Sequence, residues 1–319
     1  MRPPNSYSKI SIRAAAVIIA ISAVVAAYAQ FRSDTRLVVL HASVTDKKGK
    51  LVTNLGEGSF KIFENGQPQQ VKLFRHEDVP VSLGIIIDDS GSMMTKRARV
   101  EAAALNLVRE SNPQDEVFIV NFNDEAFLDV PFTGDIKKME QGLARIDSRG
   151  GTAMRDAVSM SLDYIRDKAK KDKKVLLVIT DGNDNASNIT LERVVARSNQ
   201  SETLIYAIGL FTEEEKHEAV KARRALNELT AATGGLTFYP KDVSEVQELA
   251  GEIAREIRNQ YTIAYTPTIE ADGSYRQIKV TVDAPGKPTV RTRSGYYATP
   301  GGKASIDAPA KETGAAGSR

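Results

Sequence analysis

Cysteine is absent from all 319 residues, which excludes disulfides, thiolate nucleophiles and thiolate-held metal centres. Histidine is nearly absent: His41, His76 and His217 are the three in the chain. None lies in a segment with metal-binding character, so a histidine-rich transition-metal site is set aside. An excess of charge of one sign is missing as well. Lys and Arg number 43 against 41 Asp and Glu, a net charge of +2. That balance leaves no electrostatic footprint for nucleic acid, and none is expected as a partner. A long hydrophobic run is also lacking, because the most apolar stretch, Ala14 to Ala26, falls short of the ~20 residues a spanning helix needs.

That stretch has a different meaning. Arg2, Lys9 and Arg13 precede it, and Ala27-Tyr28-Ala29 follows it just before Gln30. A basic start, an apolar middle and an A-x-A end read as a secretory signal peptide over residues 1–29. The protein is therefore expected to be exported, to the periplasm or the extracellular space. With no cysteine for lipid attachment, an uncleaved signal segment is the one membrane connection to consider. The whole chain is 41% hydrophobic and 26% charged, an ordinary balance for folded domains.

Residues 32–79 read as strands. Val38, Leu40, Ala42 and Val44 alternate, as do Phe60 and Ile62. Asn65-Gly66 marks a tight hairpin with Val71 and Leu73 on the return strand. At Pro80 the pattern changes to alternating strands and helices, the mark of a parallel sheet covered on both faces. Strands are expected at Val81–Asp88, Val117–Phe122, Val175–Thr180, Thr203–Leu210 and Leu236–Tyr239, with an antiparallel edge strand at Ala126–Phe132. Helices are expected around 100–108, 135–146, after Gly150-Gly151-Thr152, and around 190–200, 213–232 and 244–258. Strands resume over 259–298, with Tyr261, Ile263 and Tyr265 alternating and Asp272-Gly273 marking a hairpin to Ile278, Val280 and Val282. Neither β flank can bury a core alone. The expected fold is thus α/β: a doubly wound, mostly parallel six-stranded sheet flanked by helices (80–258), inserted in a small β-sandwich built from 32–79 and 259–298. Residues 299–319 lack periodicity and read as a disordered tail.

The chemistry gathers at three loops. Ile85-Ile86-Ile87-Asp88-Asp89-Ser90-Gly91-Ser92 drives an apolar strand into a carboxylate, with hydroxyls at alternate positions after it. Gly150-Gly151-Thr152 offers a third hydroxyl. Val175 to Asp181 is a second apolar strand ending in a second carboxylate. Open α/β sheets bind ligands at the carboxyl ends of their strands, and an all-oxygen set of this kind suits a hard cation. Two carboxylates and three hydroxyls lean toward a small six-coordinate ion, Mg²⁺, with Ca²⁺ and Mn²⁺ as alternatives. Each fragment by itself is an ordinary turn. Asp89 is expected to face away from the others, Asp156 to bond loop backbone, and Asp184 and Asn185 to form a solvated turn.

The set Asp88, Ser90, Ser92, Thr152 and Asp181 resembles the metal-ion-dependent adhesion site of the von Willebrand factor type A family, with no member of the five substituted. The resemblance covers roughly residues 80–258. The flanks, with Val44-Thr45-Asp46-Lys47-Lys48-Gly49 before and Gly295-Tyr296-Tyr297 after, are similar to those of exported VWFA-related proteins of acidobacteria. The resemblance implies a protein-binding module rather than an enzyme, whose metal takes an Asp or Glu from a partner protein; no small-molecule substrate is expected. Two other classes stay open. One is a structural envelope component whose metal only stabilises the fold. The other is a metal-dependent hydrolase, for which the motifs contain no obvious general base.

Overall fold

The structure is a computed structural model that describes residues 37–110, 112–143, 149–211 and 216–299. The expected signal segment, almost all of the expected tail, the end of the helix placed at 135–146 and the start of the one placed at 213–232 lie outside the described residues.

The first flank contributes β1 (Val38–Thr45), β2 (Phe60–Glu64), β3 (Gln67–Gln69) and β4 (Val71–Arg75). The α/β region follows as β5 (Val81–Asp88), α1 (Arg97–Arg109), β6 (Glu116–Phe122), β7 (Ala126–Thr133), α2 (Ile136–Leu143), α3 (Met154–Lys168), β8 (Lys173–Thr180), α4 (Leu191–Gln200), β9 (Thr203–Gly209), α5 (Lys216–Thr233), β10 (Thr237–Phe238) and α6 (Val246–Arg258). The second flank supplies β11 (Tyr261–Tyr265), β12 (Tyr275–Val282), β13 (Thr289–Arg291) and β14 (Gly295–Tyr297).

The α/β region forms one six-stranded sheet in the order β10-β9-β8-β5-β6-β7, parallel except for β7 at its edge. Every residue of β5 is buried, as expected for a central strand covered on both faces. Alternation then divides its side chains. Leu83, Ile85 and Ile87 pack with Val100, Ala103 and Leu107 of α1 and with Ala250, Ile253 and Ile257 of α6. Ile86 faces the other side, against Met154, Ala157 and Leu162 of α3 and Leu226 and Leu229 of α5. The fold expected from strand and helix periodicity is the fold found.

The flanks make two four-stranded sheets, β13-β1-β11-β4 and β14-β12-β2-β3. Each draws strands from both ends of the chain. Leu40 and Ala42 of β1, Ile62 of β2, Tyr261 and Ile263 of β11 and Val280 of β12 share one core between them. The α/β region leaves from β4 and returns at β11, and these strands are antiparallel neighbours with Arg75 opposite Thr262. It occupies the place of a hairpin loop.

Two hairpin expectations need correction. Asn65 and Gly66 do turn with positive φ (47° and 79°), but the return strand after them ends at Gln69. Val71 and Leu73 belong to β4, which crosses to the other sheet and pairs with β11. Asp272-Gly273 likewise does not join paired strands: β11 pairs with β1 and β4, whereas β12 pairs with β2 and β14. Asn65-Gly66 thus joins β2 and β3 within one sheet, whereas the chain crosses between sheets after Gln69 and again between β11 and β12, where β4 and β11 pair with each other and β12 pairs with β2. The lysine-rich run 168–174 is divided between surface and interior. Lys168 and Lys170 are exposed, but Lys173 is buried and its ammonium donates to the carbonyl of Ile257 at the end of α6.

Candidate functional site

Strands β5 and β8 run side by side, with Ile87 opposite Ile179, so they end together. Asp88 closes β5, and Asp181 follows Thr180 at the end of β8. Both carboxylates are 2% exposed. Asp88 Oδ1 accepts from the Ser90 amide at 2.9 Å, which curls the loop back on its own strand. Asp88 Oδ2 accepts from Thr180 Oγ1 at 2.5 Å. These donors are neutral, and burial pushes the Asp88 carboxyl up to about 6, with the Asp181 charge adding to the effect. The Asp88 charge is thus only partly compensated by its surroundings.

After Ser90 the chain makes a short 3-10 turn, Gly91–Thr95, which sends Met93 into the core. The turn brings Ser92 Oγ within 3.2 Å of Ser90 Oγ and 2.7 Å of Asp181 Oδ1, where it donates to the carboxylate. Asp88, Ser90, Ser92 and Asp181 are therefore one connected cluster. Thr152, 4% exposed, stands next to the residue after Asp181: its Oγ1 lies 3.2 Å from the point where a Cβ would stand on Gly182.

Backbone bonds sew the three loops together. Arg149 N donates to Asp89 O at 3.0 Å and Gly91 N to Gly150 O at 3.4 Å. The amides of Asn185 and Ala186 both donate to Thr152 O, and Thr152 N donates back to Asn185 Oδ1 at 2.9 Å. The Gly151 amide donates to Asp124 Oδ1 at 2.8 Å. Gly150 turns with φ +78°, and a Cβ there would meet Asp124 Oδ2 at 2.2 Å, so glycine is required on both counts.

Asp89 faces away from the cluster, toward Arg97 at 3.9 Å, as expected. Asp156 accepts from the amides of Asn188 and Ile189, also as expected. Of the expected solvated turn, Asn185 is exposed but Asp184 is drawn inward. The Asp184 side chain is 6% exposed and pairs with Arg155 at 2.8 Å, and Asn185 holds the Thr152 backbone. Sequence reasoning missed Lys96, whose ammonium donates to Asp181 Oδ2 and lies 3.5 Å from Leu210 O. It stands just before α1, outside any spacing pattern that would have marked it.

All donors in the cluster are oxygens, two of them carboxylates, and a lysine ammonium already sits against one. Among the described residues no three His, Cys, Asp or Glu side chains gather as a metal cluster. Any ion here must therefore rely on hydroxyls as much as on carboxylates, which hard cations accept.

Residues 83–183 match the sequence profile of the von Willebrand factor type A domain. The chain carries a von Willebrand factor type A domain. An uncharacterized protein of Borreliella burgdorferi is 22% identical over 220 residues, a match spanning 65% of this chain and 63% of that relative. Among solved structures, a von Willebrand factor type A protein from Catenulispora acidiphila superposes with a TM-score of 0.48 at 14% identity, covering 85% of this chain and 76% of that one. The vWF domain of the type V pili tip protein Mfa5 from Porphyromonas gingivalis gives 0.45 at 13% identity, covering 56% and 95%. No helix among the described residues is long and apolar enough to cross a membrane.

Proposed function

We propose that Asp88, Ser90, Ser92, Thr152 and Asp181 hold one divalent cation through which the protein binds an Asp or Glu side chain of a partner protein. The observation that carries this reading is the all-oxygen set gathered at the ends of two adjacent parallel strands. Mg²⁺ suits such a set, and Ca²⁺ and Mn²⁺ share its preference for oxygen. Asp88 and Asp181 supply negative charge, while the three hydroxyls supply neutral, weakly donating oxygens. When bound, the ion offers an electrophilic centre for an outside carboxylate. Von Willebrand factor type A domains commonly mediate protein–protein interaction, which supports binding rather than turnover as the role. The basic and apolar N-terminal segment supports export, so the partner is expected in the periplasm or outside the cell.

Calorimetric titration of Mg²⁺ and Mn²⁺ tests the first half. One site per chain is expected, weakened about tenfold or more in Asp88→Asn and Asp181→Ala. Unchanged binding in both variants sinks the site. A crosslinked pull-down from the native envelope tests the second half, comparing wild type with Mg²⁺, wild type with EDTA, and Asp181→Ala. A partner retained only by the first supports metal-bridged recognition. Equal retention by all three moves the contact to the β-sandwich.

A further inference from the structure

Lys96 is the one cation in contact with the cluster among the interactions described, and its geometry is specific. Its backbone is held between the 3-10 turn and α1, with Lys96 N donating to Met93 O at 2.9 Å. From there the side chain reaches back to Asp181 Oδ2, on the opposite oxygen from the one Ser92 occupies. The Asp181 side chain is 1% exposed and that of Lys96 is 16% exposed, so the contact is largely shielded from solvent. The neighbouring Arg97 takes no part. Its guanidinium is committed to Glu101 at 2.6 Å and the carbonyl of Leu143 at 3.1 Å.

Charge counting shows what Lys96 does. Asp88 and Asp181 against a divalent cation sum to zero. With Lys96 beside them the same loaded site carries one net positive charge. We infer that Lys96 is a tethered counter-cation that competes with the divalent ion for Asp181 and, once the ion is bound, leaves the site positively charged so that an outside carboxylate completes it. This rests on the metal-bridging reading above. Two consequences are linked. The ion alone is held less tightly than five oxygen ligands would allow, because it shares Asp181 with an ammonium. An incoming carboxylate then strengthens ion binding, because it neutralises the excess charge. By reciprocity the ion strengthens carboxylate binding by the same factor. Metal and acidic partner are thereby made to bind together rather than separately.

The test measures Mn²⁺ affinity of the full chain by electron paramagnetic resonance, with and without acetate as the carboxylate probe, at matched ionic strength. Wild type, Lys96→Met, Lys96→Arg and Asp181→Ala are compared. Lys96→Met is expected to bind Mn²⁺ on the order of tenfold more tightly than wild type and to show a smaller tightening by acetate than wild type does. Lys96→Arg, which keeps the charge, is expected to behave as wild type does. Lys96→Gln carries the same expectation as the methionine variant, and it keeps a hydrogen-bond donor for Asp181 if the methionine variant does not fold. A folded neutral variant that binds Mn²⁺ no more tightly than wild type overturns the inference and makes Lys96 a structural tie. Absence of Mn²⁺ binding in wild type and the neutral variants alike overturns the metal site itself, a different result.

Discussion

At Lys173 burial acts on a single charge. The residue opens β8, is 3% exposed and spends its ammonium on the Ile257 carbonyl. Desolvation lowers its pKa from 10.5 to about 8, against the pull of Asp78, Glu256 and Asp115. The folded-state value lies below the unfolded one, so between them the unfolded chain keeps a proton that the folded chain has released. Stability therefore rises with pH from about 8 to 10.5 on account of this residue. Urea midpoints measured across that range are expected to climb in wild type and to climb less in Lys173→Met. Parallel pH profiles for the two proteins would refute it. The sequence placed Lys173 in a charge run, where only neighbours in space, not in sequence, distinguish the buried lysine from the solvated ones.

Elements of the α/β region were readable because their periodicity is local. In β5 the apolar run reports a strand covered twice, and Gly84 within it reports a close approach. A Cβ there would stand 2.3 Å from the Phe118 ring, which itself packs on Phe132 and Tyr164 at 4.8 Å each. Gly84→Ala is expected to overpack this face and to cost about 1–3 kcal/mol in urea unfolding. A variant as stable as wild type would show that the aromatic cluster yields. The sandwich elements were harder to read. Alternation located β1, β2, β11 and β12 but could not say which pair, since every one of them has a single apolar face fitting either sheet. Packing around Glu64 helps select the arrangement. It accepts from Tyr265 at 2.5 Å, Tyr296 at 2.9 Å and Arg276 at 3.0 Å, so that one buried carboxylate ties β2 to β11, β14 and β12.

On the scale of the whole molecule, the α/β region stands where a hairpin turn would. Arg75 and Thr262 face each other at its base, and the sandwich core consists of flank residues alone. Replacing residues 77–259 of the 37–299 segment with an Asn-Gly turn is expected to leave a small β protein that melts cooperatively by circular dichroism, although less stably, as small cores do. A chain without a cooperative transition would mean that the sandwich depends on its insert. The dependence would then run through Glu256 near the end of α6, which accepts from Ser43 of β1 and Tyr206 of β9 at 2.8 Å each and from Arg291 of β13. The sequence by itself determined the strands, the helices and the three loops of the candidate site, because apolar period and loop composition act over a few residues. Asp88, Ser90, Ser92, Thr152 and Asp181 were legible for that reason. Only the tertiary structure decided which sandwich strands pair, which lysine is buried and that Lys96 rests on Asp181. Those outcomes depend on contacts between residues tens to hundreds of positions apart, and such contacts are selected by the packing of the whole chain, not by any local pattern within it.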